Sequence, residues 1–205
     1  ALFIVMPEEN PSAYFMVSLL IQQLYREILA VADENGGRLK NRAMFYMDEF
    51  GTLAPIQSAE MMYSASRSRK LSLVSIIQSY QQLEKNYGRE GASIIQDNCQ
   101  LTIAGGFAPS SETAEIISKA LGSRTVMTGS VSRSKNEPSQ SLQMTERPLM
   151  TADELRSMKK GDFIVTKTGA HPFVSKLKLF FQWGISFTDD KYIIADKGAR
   201  KVSYV

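Results

Sequence analysis

The chain is poor in cysteine and histidine, with one of each in 205 residues: Cys99 and His171. A single thiol excludes an internal disulfide, and a reducing compartment is the natural fit. A single imidazole excludes zinc motifs built on paired histidines and leaves few routes to a His-based triad. Net charge is also scarce. The 24 Lys and Arg against 21 Asp and Glu leave +3, too small an excess to argue for nucleic acid. No apolar run is read as reaching the ~18–20 residues of a transmembrane helix. No charged leader precedes Ala1-Leu2-Phe3-Ile4-Val5-Met6, which reads as a strand and, by its abruptness, as a boundary inside a larger protein. A hydrophobic fraction of 43% and a charged fraction of 22% are ordinary for a soluble globular protein. The length suits one α/β domain, or at most two small ones.

What the chain does have is alternation. Asn10-Pro11 reads as a helix cap followed by proline in the first turn. The helix after it carries Val17, Leu20, Ile21, Leu24, Ile28 and Val31 on one stripe, and Gly36-Gly37 closes it. Residues 43–47 are an apolar strand, 57–69 a more polar helix and Leu71–Ile77 a second apolar strand. A helix over 80–97 is expected to break near Gly88. Leu101–Ala104 reads as a further buried strand. Residues 110–121 read as an amphipathic helix capped by Ser110 and closed by Gly122. Residues 124–147 are polar and read as two extended arms around a mobile loop at 134–141. Thr151-Ala152-Asp153-Glu154 is a capping box opening a short helix. Asp162–Thr166 is a last core strand and Phe173–Phe181 an edge strand; no internal repeat is visible. Such alternation predicts an α/β fold, a mostly parallel sheet with helices on both faces.

Three places carry chemistry. The first is Ala-Met-Phe-Tyr-Met-Asp-Glu-Phe (43–50), a strand that ends in two adjacent carboxylates. Ligands of open α/β sheets collect beyond the carboxyl ends of strands, where Asp48 and Glu49 would stand. In a nucleoside triphosphatase, one acid there holds Mg²⁺ through its water shell and its neighbour orients or deprotonates the attacking water. The plain alternative is an acidic pair marking where a strand meets solvent. The second is Gln78, directly after the strand 71–77: an amide able to bond a γ-phosphate oxygen and the attacking water, or simply a helix cap. The third is Ser66-Arg67-Ser68-Arg69-Lys70, either cations favoured by a helix dipole or an arginine that stabilises phosphoryl charge. The remaining features have structural readings. Met44, Met47, Met61 and Met62 read as core filler and Cys99 as a small buried residue. His171 reads as a loop residue and Lys159-Lys160 as a solvated turn.

Taken in order, Met-Asp-Glu-Phe-Gly (47–51), Ser-Arg-Ser-Arg (66–69), Ser-Ile-Ile-Gln-Ser-Tyr-Gln-Gln-Leu (75–83), Asp-Asn-Cys (97–99) and Ile-Ala-Gly-Gly-Phe (103–107) follow one family. Glu-Thr-Ala-Glu-Ile-Ile-Ser (112–118), Leu-Gly (121–122) and Leu-Met-Thr-Ala-Asp-Glu-Leu (149–155) follow it too. The chain resembles the type IV coupling proteins, the TraG/TraD-like ATPases of conjugation and type IV secretion, over residues 1–182. The resemblance implies a RecA-like P-loop NTPase core from a ring-forming motor, expected to be a hexamer, with residues 183–205 as a tail. It assigns Asp48 and Glu49 to the Walker B pair, Asp48 holding Mg²⁺ through water and Glu49 acting on the attacking water. Gln78 matches the sensor glutamine, and Arg67 the arginine presented to a neighbouring subunit's nucleotide. It also implies ATP and Mg²⁺ as cofactors of the full-length parent. DNA, relaxosome proteins and secretion-channel proteins are the implied partners. The parent is placed at the cytoplasmic face of the bacterial membrane, anchored through an N-terminal segment absent here.

The departures set further expectations. No Gly-Lys-Ser or Gly-Lys-Thr occurs, so the loop G-x-x-x-x-G-K-[ST] that cradles phosphates is missing. The sheet is expected to lack the strand that leads into that loop, leaving apolar surface, and the fragment is expected neither to hydrolyse ATP nor to bind it tightly. Phe107-Ala108-Pro109 stands where the family has a Gly-Gly-Asp-like run, so no polar role falls there. Arg124, Arg133 and Lys135 make 124–141 a candidate DNA contact. Two other readings are open: a different RecA-like translocase or helicase-type motor, and a docking or DNA-binding module without turnover.

Overall fold

The computed structural model describes residues 1–6, 14–133 and 138–187. The expected Asn10-Pro11 cap, residues 134–137 of the expected loop and residues 188–205 of the tail lie outside the described residues. The first core is built on α1 (Tyr14–Glu34), β1 (Ala43–Met47), α2 (Ala59–Ala65), β2 (Leu71–Ser75) and α3 (Tyr80–Asp97). Ala43, Phe45 and Met47 of β1 turn toward the core, while Met44 and Tyr46 between them are exposed, the period-2 pattern of a strand. β1 and β2 pair in parallel, with Ala43 opposite Leu71 and Met47 opposite Ser75. α2 lies in the crossover that such a pair requires. Ile21, Tyr25, Met47, Phe50, Met62, Leu71, Leu83 and Ile95 close the core.

α1 turns its stripe slightly from the expected one. Ser18, Ile21, Tyr25 and Ala32 face inward, whereas Leu20 and Val31 are exposed. By length and composition α1 is apolar enough to cross a membrane, which corrects the reading that no segment is. Here Ile21 and Tyr25 share a core with Met47 and Met62, the position of a core helix. Residues 1–6 join no ladder, so the opening strand is corrected to a segment without regular structure; only Met6 packs on the core.

The second core gathers Ala114, Ile117 and Leu121 of α4 (Glu112–Leu121), Leu155 of α5 (Ala152–Arg156) and Ile164 of β6 (Asp162–Lys167). β6 is central to a three-stranded antiparallel sheet between β3 (Leu101–Ala104) and β7 (Phe173–Lys176). The α/β class of the RecA-like core is as expected. Among the described residues its parallel pairing is the β1–β2 ladder, and the other ladders are antiparallel. α3 joins β2 to β3, yet no ladder connects those two strands. Ile76, Leu101 and Ile103 are exposed there, so β3 is not the buried strand expected.

β4 (Ser123–Arg133) and β5 (Pro138–Pro148) form a long antiparallel hairpin, the two arms read from the sequence. The α5 capping box is present, with Thr151 Oγ1 accepting from the Glu154 N–H and Glu154 accepting from the Thr151 N–H at 2.8 Å. Arg147 also reaches Glu154 at 2.5 Å. The Thr151 backbone first, and Arg147 second, hold the Glu154 carboxyl below its ordinary range. α4 begins after Ser111 rather than Ser110. The edge strand stops at Lys176, and Phe180–Trp183 instead make a 3-10 turn. Met47 and Met62 are core residues, but Met44 and Met61 are exposed. Cys99 is exposed too, because it comes after the last turn of α3; its thiol donates back to the Ile95 carbonyl at 3.3 Å.

Candidate functional site

β1 and β2 are parallel and in register, so the residues just past Met47 and those just past Ser75 must lie side by side. Two hydrogen bonds fasten these ends: the Ile76 N–H donates to Met47 O at 3.0 Å, and the Phe50 N–H donates to Ile76 O at 2.9 Å. Asp48 and Glu49 stand exposed in the turn between those bonds, while Phe50 drops into the core at 1% exposure. Phe50 stacks on Tyr87, centroids 5.7 Å apart, and tilts against Tyr63 at 6.1 Å. Burial, the largest cause, raises the pKa of both phenols above the ordinary value. They remain protonated, with Tyr63 bonded to Ser75 and Tyr87 accepting from the Ile56 N–H at 3.2 Å.

The turn itself is strained. Glu49 has φ of 51°, in the left-handed region that costs a non-glycine residue about 1–2 kcal/mol. The Glu49 N–H donates to Asp48 Oδ1 at 3.0 Å, and Glu49 O accepts from both the N–H and the hydroxyl of Thr52 at 2.8 and 2.9 Å. These bonds hold the backbone and leave the Glu49 carboxylate with no hydrogen bond to any described residue.

Gln78 comes after β2, beyond the same end of the strand pair, and is exposed. Its backbone and side chain are both bonded to Gln82, in the first turn of α3. Gly51 makes room for this contact, since a Cβ there would lie 2.8 Å from the Cβ of Gln82. One turn further along α3, Asn86 Nδ2 donates to the carbonyls of Gly51 and Leu53, both at 3.0 Å. Gln82 and Asn86 were not assigned from sequence. They follow Gln78 by four and eight residues, a helical spacing, but the small residue opposite them is not legible in the sequence.

The fold thus brings Asp48, Glu49 and Gln78 together at the carboxyl ends of β1 and β2. It does not bring Arg67 there. Arg67 lies in the turn between α2 and β2, where the Lys70 carbonyl accepts from the Ala43 N–H and Ser66 O from the Leu71 N–H. Those are the opposite ends of the strands, about 13 Å away along five residues. Neighbouring Arg69 is engaged with Asp33 at 2.5 Å and with Gly37 O at 3.1 Å. Arg67 is exposed; its carbonyl accepts from the Lys70 N–H at 3.3 Å, while its guanidinium makes no hydrogen bond or ion pair to any described residue.

The donor set can be tested against a divalent cation. The described residues contain no group of three or more His, Cys, Asp and Glu able to enclose a metal. Two adjacent exposed carboxylates at a strand end do fit Mg²⁺, which keeps several waters and binds through one or two carboxylates plus phosphates.

Residues 42–160, more than half of the chain, match the family described as the TraM recognition site of TraD and TraG. A probable conjugal transfer protein TraG of Sinorhizobium fredii is 29% identical over 150 residues, which is 71% of this chain and 23% of that protein. The type IV secretion system-coupling protein VirD4 of Bartonella henselae is 23% identical over 185 residues, 88% of this chain and 28% of that protein. The plasmid coupling protein TrwB, solved with the non-hydrolysable ATP analogue ADPNP, matches with a TM-score of 0.69 at 20% identity. That match covers 86% of this chain and 40% of TrwB. TrwB solved with ADP and Mg²⁺ matches equally, at 0.69. The chain spans roughly a quarter of the length of the curated relatives it matches. It shares the RecA-like fold of TrwB, and it belongs to the TraD and TraG family of type IV coupling proteins.

Proposed function

We propose that this chain is the part of a ring-forming ATPase motor that carries the water-activating and sensing groups. The parent couples ATP hydrolysis to transfer of DNA, and of protein substrates, into a conjugation or type IV secretion channel. One observation carries the reading: Asp48, Glu49 and Gln78 converge at the carboxyl ends of the parallel pair, while the unpaired Arg67 stands at the other end. In this reading Glu49 takes a proton from the attacking water, its carboxylate free because only its backbone is bonded. Asp48 is the anchor for Mg²⁺, which when bound neutralises charge on the transferring phosphoryl group. Gln78 reports loss of the γ-phosphate to α3. Arg67 serves the nucleotide of a neighbouring subunit. The ring is taken as a hexamer at the cytoplasmic face of the bacterial membrane, with relaxosome and channel proteins as partners. The phosphate-cradling loop must come from other parts of the protein, so this chain alone is expected to bind ATP weakly.

The test is Glu49→Gln in the full-length protein, which keeps the side chain's size and one oxygen but removes the basic carboxylate. Nucleotide binding is expected to persist while turnover falls by roughly 10²-fold or more, the scale of losing a general base. An unchanged rate would reduce Glu49 to an acid at a strand end.

A further inference from the structure

Gln78, just before the N-cap of α3, and Gln82, in its first turn, form a closed amide pair whose polarity is fixed by the backbone. The N–H of Gln78 is a main-chain donor and cannot exchange roles with an acceptor. It donates to Gln82 Oε1 at 3.2 Å, which settles which way the Gln82 amide faces. Gln82 Nε2 is then turned to Gln78 Oε1 and donates to it at 3.2 Å. The side-chain oxygen of Gln78 is therefore engaged, and its Nε2 hydrogens are left with no acceptor among the described residues. Gln82 is held in its turn. Ser79, the N-cap of α3, accepts from the Gln82 N–H, and the bare Cα of Gly51 leaves the space its side chain fills.

We propose that Gln82 is a positioning residue that fixes the Gln78 amide with its two N–H donors free for the nucleotide. Gln78 then recognises an anionic γ-phosphate oxygen, the acceptor that N–H donors suit, rather than acting chiefly as an acceptor for the attacking water. This rests on the assignment of Gln78 to the nucleotide site made above. Gln82 also packs against the bare Cα of Gly51, one residue beyond Phe50, and Asn86 one turn on bonds the Gly51 carbonyl, so the sensing amide and the acidic turn both rest on the first half of α3.

The experiment uses the full-length protein and compares Gln82→Glu, Gln78→Ala and the double variant. The readouts are the affinity ratio for a non-hydrolysable ATP analogue over ADP, measured with fluorescent nucleotides, and kcat and KM. A glutamate at 82 still accepts from the Gln78 N–H, but its second oxygen faces Gln78 Oε1. The Gln78 amide must therefore turn over and present its oxygen to the phosphate. Gln82→Glu is expected to lower the triphosphate preference about tenfold or more, the scale of one hydrogen bond to a charged group. Affinity for ADP should barely change, and kcat should fall. Gln78→Ala should lower the preference by a similar factor, and adding Gln82→Glu to it should lower it no further, because Gln82 acts through Gln78.

If Gln78→Ala lowers the preference and Gln82→Glu does not, the positioning role is overturned. The same holds if Gln82→Glu lowers it equally with and without Gln78, since the added charge then acts directly. If Gln78→Ala itself leaves the preference intact, the assignment of Gln78 to the nucleotide fails first. Should Gln82→Glu not fold, Gln82→Met removes both hydrogen bonds at nearly constant length. It is expected to give a smaller loss that again vanishes in the Gln78→Ala background, and no loss would overturn the proposal.

Discussion

Phe50 governs where the two carboxylates stand. Asp48 and Glu49 are exposed, and the one side-chain bond of the pair, from the Glu49 N–H to Asp48 Oδ1, contributes too little by itself to hold a strained turn in place. The next residue does so, with its ring nearly fully buried between Tyr63 and Tyr87. Burying a phenylalanine contributes about 1.5–3 kcal/mol, enough to offset the left-handed φ at Glu49. Phe50→Ala is expected to destabilise the fold by about 3–5 kcal/mol, measured by urea denaturation. A loss under about 1 kcal/mol would mean that the turn is fixed by its hydrogen bonds alone. Asp48, Glu49 and Gln78 were legible as site candidates because each comes directly after an apolar run that reads as a strand. Phe50 and Gln82 were not, because their roles depend on Tyr87 and Gly51, which no local pattern links to them.

At the scale of elements, α3 is two short helices joined at Gly88. The first half faces the acidic turn: Gln82 meets Gly51, Asn86 bonds Gly51 O and Leu53 O, and Tyr87 stacks on Phe50. The second half packs Ala92 and Ile95 into the core, with Gly91 close against Glu60 of α2. Gly88 joins them with φ of 69° and ψ of 172°, a region open in practice only to glycine. A Cβ there meets nothing within 4 Å, so any penalty for Gly88→Ala is backbone strain rather than collision. That variant is expected to cost about 1–3 kcal/mol, read as a lowered Tm. An unchanged Tm would show that α3 tolerates a continuous helix. The break was legible because glycine in a helical pattern is a strong local signal, as was the Thr151–Glu154 capping box. The failures were tertiary. Ala1–Met6 has strand composition but no ladder partner, and Leu101–Ala104 has a partner on one side while Leu101 and Ile103 stay exposed. Strand character depends on neighbours more than on the segment itself.

At the scale of the whole molecule, the β1–β2 pair has two chemically distinct poles. One carries Asp48, Glu49 and Gln78; the other carries Arg67, beside an Arg69 already committed to Asp33. A guanidinium at the far end of the strands has no path to its own acidic pole, so a catalytic role for Arg67 requires a second copy of the protein. An arginine finger is worth about 10³–10⁵ in rate. Arg67→Ala in the full-length protein is therefore expected to remove turnover while sparing nucleotide binding and the fold, since its side chain bonds to no described residue. Mixing that variant with a second one that cannot bind nucleotide, each inactive alone, creates interfaces where an intact site meets an intact Arg67. Activity is expected to return in part and to rise with protein concentration, because it depends on assembly. Mixed rings that form and remain inactive would remove the role in trans. Full activity of Arg67→Ala alone would leave Arg67 as a cation at the end of a helix, where the dipole contributes only about 0.3–1 kcal/mol.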